Sequence, residues 1–153
     1  MIPATGSRVP QHTDPEINER IRRQTERNAA SAAAGGQDAI ERRLHELDAE
    51  WDIERLLETN AASVVLLTSL LGLTVNRKFL LVPPLVGGFL LQHAVQGWCP
   101  PVPLFRRLGF RTADEIAEER YALKALRGDF RDVQANLNGD RSIAQAAIAA
   151  ARR

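Results

Sequence analysis

The sequence predicts an all-α membrane fold, and three observations predict it. First, the stretch Ala61–Trp98 carries formal charge only at Arg77 and Lys78, which divide it into the apolar runs Ala61–Val75 and Phe79–Trp98. A run that is apolar on every helical face cannot be half of a soluble amphipathic pair, and two such runs joined by a short polar link make a transmembrane helical hairpin. Second, the charge is segregated into blocks before residue 59 and after residue 105, where apolar residues recur at helical spacing. Third, Gly35-Gly36 and the proline-rich Cys99–Pro103 punctuate the chain between these segments. The organisation that follows is a disordered N-terminus over 1–15 and an amphipathic helical arm over 16–58. The hairpin occupies 59–98, a Pro/Arg juxtamembrane segment 99–111, an amphipathic helix 112–130 and a flexible Ala-rich tail 131–153.

Element by element, residues 1–13 are polar with Gly, Pro and Ser, a composition too poor in apolar residues to order itself. Asp14-Pro15 supplies an N-cap and an N1 proline, and the Arg-, Glu- and Ala-rich Glu16–Ala34 is helical by propensity until Gly35-Gly36 breaks it. From Gln37 to Glu58, Ile40, Leu44, Leu47 and Trp51 form an apolar stripe that needs a partner: another helix, a second copy or the membrane surface. Trp51 fits either headgroup level or a plain helix–helix seam.

The first apolar run, Ala61–Val75, spans about 22 Å against roughly 30 Å of hydrocarbon, so its helix extends back toward Leu56 and carries Glu58 and Asn60 into the interface. Pro83-Pro84 cannot lie inside a straight helix, which places the second helix from Pro83 to Trp98 and the link over Asn76–Val82. Basic residues beside the hairpin ends set its orientation. Arg42, Arg43 and Arg55 on one flank and Arg106, Arg107 and Arg111 on the other outweigh Arg77 and Lys78, so both termini are expected in the cytoplasm.

Cys99–Pro103 leaves the membrane as an extended turn. Leu104, Phe105, Leu108 and Phe110, interleaved with Arg106, Arg107 and Arg111, suit a segment lying against anionic headgroups. Trp51, Trp98, Arg106 and Arg107 are the expected interface anchors. Thr112 and Glu115 fit a capping box that opens a helix to Arg127 with Ile116, Leu123 and Leu126 inward, stopped by Gly128. Beyond it lie the turn Asn138-Gly139 and a fraying Ala-rich helix from Asp140.

Composition narrows the function classes. A net charge of +1 argues against nucleic acid as the main partner. The single cysteine, Cys99, excludes an intrachain disulfide. Residues 1–15 hold no apolar h-region, so insertion depends on the hairpin. There is no phosphate-cradling glycine loop, no Ser-His-Asp arrangement and no paired CxxC, and the three histidines have no metal-ligand spacing. No catalysis, cofactor or metal is expected; the expected partners are the lipid bilayer, further copies of the chain and a cytosolic or membrane protein.

The run Gln92-His93-Ala94-Val95-Gln96-Gly97-Trp98-Cys99-Pro100, two short apolar helices ending in Gly-aromatic-Cys, and a leucine-containing turn after them resemble a bacterial inner-membrane family. The two-helix module of that family also forms the membrane domain of the YgaP-type membrane-bound rhodanese. The resemblance covers Glu54–Phe110 and rests on Glu54-Arg55, the hairpin lengths and Gly97-Trp98-Cys99. The chain departs from the pattern in Pro100 and Pro101 and in its longer arms, and it has no second cysteine and no room for a rhodanese domain. The resemblance implies an inner-membrane protein with Cys99 as the reactive position, and sulfur chemistry only through Cys99 or a separate sulfurtransferase.

Three sets of residues are candidates for function. Cys99, close to Arg106 and Arg107, is a reactive thiol carrying a persulfide or an intermolecular disulfide, a site of S-acylation, or a small packing residue. Gln92, His93 and Gln96 form an intramembrane polar cluster that lines a pathway or serves as interhelical hydrogen-bond glue. Gly72, Gly87, Gly88 and Gly97, with Ser63 and Ser69, permit close helix packing. The leading expectation is a membrane-anchored, oligomerising scaffold whose Gln37–Glu58 helix, through Ile40, Leu44, Leu47 and Trp51, and Thr112–Arg127 helix present docking faces to each other or to a cytosolic partner. A redox or persulfide carrier through Cys99 comes next, and a small oligomeric pore third.

Overall fold

The computed structural model describes residues 4, 6–131, 133 and 141–152, with the side chains of 141 and 142 left aside. Among these the chain is all-α: α1 (Arg8–Gln11), α2 (Pro15–Ala34), α3 (Gln37–Ala49), α4 (Ile53–Thr74), a 3-10 turn (Arg77–Leu81), α5 (Val82–Gln96), α6 (Val102–Leu108), α7 (Ala113–Arg127) and α8 (Arg141–Arg152). The residues divide into two compact units, 1–21 with 51–114 and 22–50 with 115–153.

Local chemistry sets most boundaries. The Asp14 carboxylate accepts from the Glu16 N–H at 2.9 Å, opening α2 at Pro15. Gly36, at φ 79°, ends the run before α3. Asp52 is the N-cap of α4 and accepts from the Arg55 N–H at 2.7 Å, so the expected single helix from Gln37 to Glu58 is broken at Glu50–Asp52. Pro83 and Pro84 occupy the first turn of α5, where a missing N–H costs nothing. The same rule corrects the expectation for Cys99–Pro103. Pro101 is the N-cap and Pro103 lies in the first turn of α6, so the proline-rich stretch starts a helix instead of remaining extended.

In the first unit α4 and α5 form a hairpin whose 3-10 link folds back on α4. A Cβ on Gly72 would sit 2.5 Å from the Leu80 side chain, so the glycine is what allows that approach. Two helical stretches, one ending at Thr74 and the other Arg77–Gln96, are long and apolar enough to cross a membrane; only 17% and 6% of their most apolar windows are buried. Leu66, Leu67, Leu70, Leu73, Leu85 and Leu91 are all exposed. At the open end of the hairpin the apolar side chains turn inward. Val9, Ile53, Leu57, Cys99 and Val102 form a core flanked by Phe89, Phe105 and Phe110. Val9 brings α1 into that core, so part of the N-terminus expected to be disordered is a docked helical turn.

Arg106 binds this end together. It is fully buried, and it donates to the Thr13 hydroxyl at 3.2 Å, the Phe110 carbonyl at 3.0 Å and the Asn18 side-chain oxygen at 2.9 Å. The expectation that Arg106 anchors at headgroup level is therefore overturned: its guanidinium satisfies acceptors from α1–α2 and the end of α6 inside the protein. Arg107 is exposed, Trp98 is half-buried, and Trp51 is exposed beneath the Arg55 guanidinium at 4.4 Å.

In the second unit α3 packs against α7, with Ala32, Ile40, Leu44, Leu47, Ile116 and Leu123 in one core. Leu126, expected inward, is 52% exposed because its position on α7 turns away from α3. Glu119 is fully buried and receives the Arg43 guanidinium at 2.7 and 3.3 Å; that hydrogen bond raises the Arg43 pKa against the cost of burial. The Ala-rich segment forms α8, where Ala150 is buried and the Ala151 carbonyl accepts from Lys124 at 2.6 Å. The Asn138-Gly139 turn lies outside the described residues.

Candidate functional site

The hairpin brings the first turn of α4 and the last turn of α5 to the same end of the first unit. Glu54 and His93 meet there, His93 Nε2 lying 2.6 Å from Glu54 Oε2. The other carboxylate oxygen is taken by Arg8 Nη2 at 3.0 Å, and Arg8 Nη1 donates to the Ala94 carbonyl at 3.3 Å. A carboxylate held by a guanidinium on one oxygen accepts on the other, so Nε2 donates its hydrogen to Glu54. Nδ1 is buried and makes no conventional hydrogen bond. Cys99, six residues further on, is buried in the core at the same end of the hairpin. His93 is 4% and Cys99 3% exposed. The order is thus guanidinium, carboxylate, imidazole.

Gly97 makes this geometry possible. It caps α5 at φ 80°, a left-handed conformation that returns the chain after one residue, and its N–H donates to the His93 carbonyl at 2.7 Å. A Cβ there would lie 2.5 Å from the Arg8 carbonyl group, so the absence of a side chain also admits α1. Two residues later Cys99 enters the core between α4 and α6.

Beside the thiol runs a groove of about 200 Å³ between α4 and α5, lined by Leu57, Val64, Val86, Phe89, Asn60 and Cys99 among others. Its walls are apolar except at Asn60 and the thiol. Among the described residues, no group of three His, Cys, Asp or Glu side chains is placed to hold a metal ion.

Of the residues singled out from the sequence, Cys99 and His93 come together. Gln92 and Gln96 do not join them: Gln96 is exposed, Gln92 half-exposed, and His93 turns from both to Glu54. Ile40, Leu44 and Leu47 are buried in the α3–α7 core, so three of the four residues expected to dock a partner are covered by the chain itself. Glu54 appeared in the sequence reading only as part of a resemblance, and Arg8 not at all. An acid in the first turn of one hairpin helix and a histidine in the last turn of the other were a legible signal for the Glu54–His93 pair; nothing in the sequence signalled Arg8.

No family model, no curated protein and no solved structure matches the chain.

Proposed function

We propose that the chain is an integral membrane protein, held in a bacterial inner membrane by the α4–α5 hairpin with both termini cytoplasmic, and that Cys99 is a nucleophilic carrier. The single observation that supports the chemistry is the Arg8–Glu54–His93 network at the end of the hairpin where Cys99 is buried. Glu54 orients the imidazole, Nδ1 takes the thiol proton, and the sulfur attacks an electrophilic group on a donor whose leaving group takes the proton back. A second exchange hands the group on, so turnover depends on partner proteins.

The membrane part of the proposal is supported by length and exposure. α4 spans about 33 Å and the 3-10 turn with α5 about 32 Å, against roughly 30 Å of hydrocarbon. The ring of exposed leucines suits lipid or a second copy. Ile40, Leu44 and Leu47 face Ile116 and Leu123 within the chain, the arrangement in which the two amphipathic helices dock on each other.

Alkylation of Cys99 by iodoacetamide in detergent tests the carrier. His93→Gln is expected to slow it by at least about tenfold and Glu54→Gln by less, since a positioned base contributes that much or more to proton removal. A loosened fold would expose the buried thiol and speed the reaction, so the two effects have opposite signs. An unchanged rate in His93→Gln would refute the carrier reading.

A further inference from the structure

The second unit holds a cavity of about 520 Å³ between α3, α7 and α8, a size typical of small-molecule sites. Its lining carries four cations, Arg120, Lys124, Arg127 and Arg152, against two carboxylates, Glu41 and Asp48. The three basic residues of α7 recur at spacings of four and three, so they share one face of the helix. Two of them are already answered. Arg120 donates to Asp48 at 2.8 Å, and Arg127 holds both carboxylate oxygens of Asp129 at 2.8 and 2.6 Å. Lys124, between them, is only 6% exposed and has no carboxylate partner among the described residues. Its ammonium donates to the Ala151 carbonyl at 2.6 Å, which uses one of three donors and cancels none of the charge. A buried cation in that position lacks the counter-charge that would replace its hydration. Arg152, exposed in the last turn of α8, adds a second cation to the same cavity.

We propose that this cavity binds a small phosphate monoester, with the phosphate at Lys124 and Arg152 and the rest of the molecule in the remaining volume. A phosphate dianion offers three acceptor oxygens, enough for the donors left over on the Lys124 ammonium and for the guanidinium fork of Arg152. A single carboxylate supplies half that charge. The volume exceeds what a bare phosphate fills, and Glu41 and Asp48 on α3 supply acceptors that suit hydroxyl groups of the esterified part. Phosphate monoesters occur free and as lipid headgroups, and both present this same group. The site lies wholly in the second unit, so it is independent of the chemistry proposed for Cys99.

The test is calorimetric titration of the whole protein in non-ionic detergent with glycerol 3-phosphate, with glycerate and glycerol as comparators. Glycerol 3-phosphate is expected to saturate one site. Glycerate should bind at least about fivefold more weakly and glycerol not at all, since charge supplies the recognition. Lys124→Gln and Arg152→Gln should each weaken glycerol 3-phosphate by roughly tenfold or more, the loss expected for one charge-assisted hydrogen bond. Arg42→Gln, which removes an exposed cation of α3 outside the cavity, should stay within about twofold. Lys124→Gln also removes the contact to α8, so Arg152→Gln, at an exposed position, carries the test if the former loosens that helix. Dihexanoyl phosphatidic acid presents the same phosphate on a lipid. Tighter binding than glycerol 3-phosphate that is still lost in Arg152→Gln identifies a headgroup as the source, and equal or weaker binding identifies a free ester. No saturation by about 10 mM glycerol 3-phosphate, equal binding of glycerate, or a loss in Arg42→Gln as large as in Arg152→Gln each overturn the proposal. An unchanged affinity in either cavity variant does so too.

Discussion

At the scale of single residues, Gly97 has the most to do. Its φ of 80° lies where a Cβ is strained, and the space a Cβ would need is occupied by the Arg8 backbone at 2.5 Å. Gly97→Ala is therefore expected to lose about 2 kcal/mol or more, since backbone strain and a steric clash each cost on this order. Thermal melting in detergent measures the loss, and faster tryptic cleavage after Arg8 reports that α1 has lifted; wild-type values for both would mean that α1 does not dock on Gly97. Arg106 illustrates the opposite case, a residue whose role cannot be inferred from type. As an arginine beside a membrane segment it belongs at headgroups by composition, yet its donors are all directed inward onto Thr13, Asn18 and Phe110. What drew it in, beside the nearby Phe110 carbonyl, is the pair of acceptors on Thr13 and Asn18, 93 and 88 positions away and invisible in its own sequence neighbourhood.

At the scale of elements, periodicity located the helices and left their partners open. The stripe Ile40, Leu44, Leu47 required a covering surface, and α7 supplies it through Ile116 and Leu123. Leu47 is 1% and Leu123 0% exposed, so Leu47→Ala or Leu123→Ala is expected to cost 2–5 kcal/mol, about the range for a leucine removed from a core. Leu126→Ala, at 52% exposed, is expected to stay within about 0.5 kcal/mol. Chemical or thermal denaturation of the purified protein checks all three, and a costly Leu126→Ala would reveal a partner on that face. Trp51 lies beyond the end of α3 because Asp52 caps α4, a boundary that the continuous apolar spacing from Ile40 to Trp51 concealed.

At the scale of the whole molecule, the chain combines a unit whose leucines face outward with a unit whose leucines face one another. This is the contrast expected of a membrane hairpin and a water-facing helical arm. The topology proposed for them gives a direct expectation. Alkaline phosphatase fused at either terminus should be inactive in a bacterial host, and inserted in the Arg77–Leu81 link it should be active. The reverse pattern would mean that Arg77 and Lys78, the minority charges, decide orientation.

The sequence by itself determined the all-α class, the two apolar helical stretches on either side of Arg77-Lys78, and the breaks at Gly35-Gly36 and Gly128. Each depends on hydrophobicity, helix period or the φ preference of glycine and proline, properties that act over a few neighbouring residues. Only the tertiary structure decided that α1 docks, that Arg106 is buried, that the α3 stripe is covered within the chain, and that Glu54 and Arg8 stand behind His93. These are pairings between groups 39 to 93 positions apart, as in His93 with Glu54 and Arg106 with Thr13. Nothing in local propensity selects one distant acceptor over another; the choice is made when packing brings a buried donor and acceptor together and leaving either unpaired becomes costly.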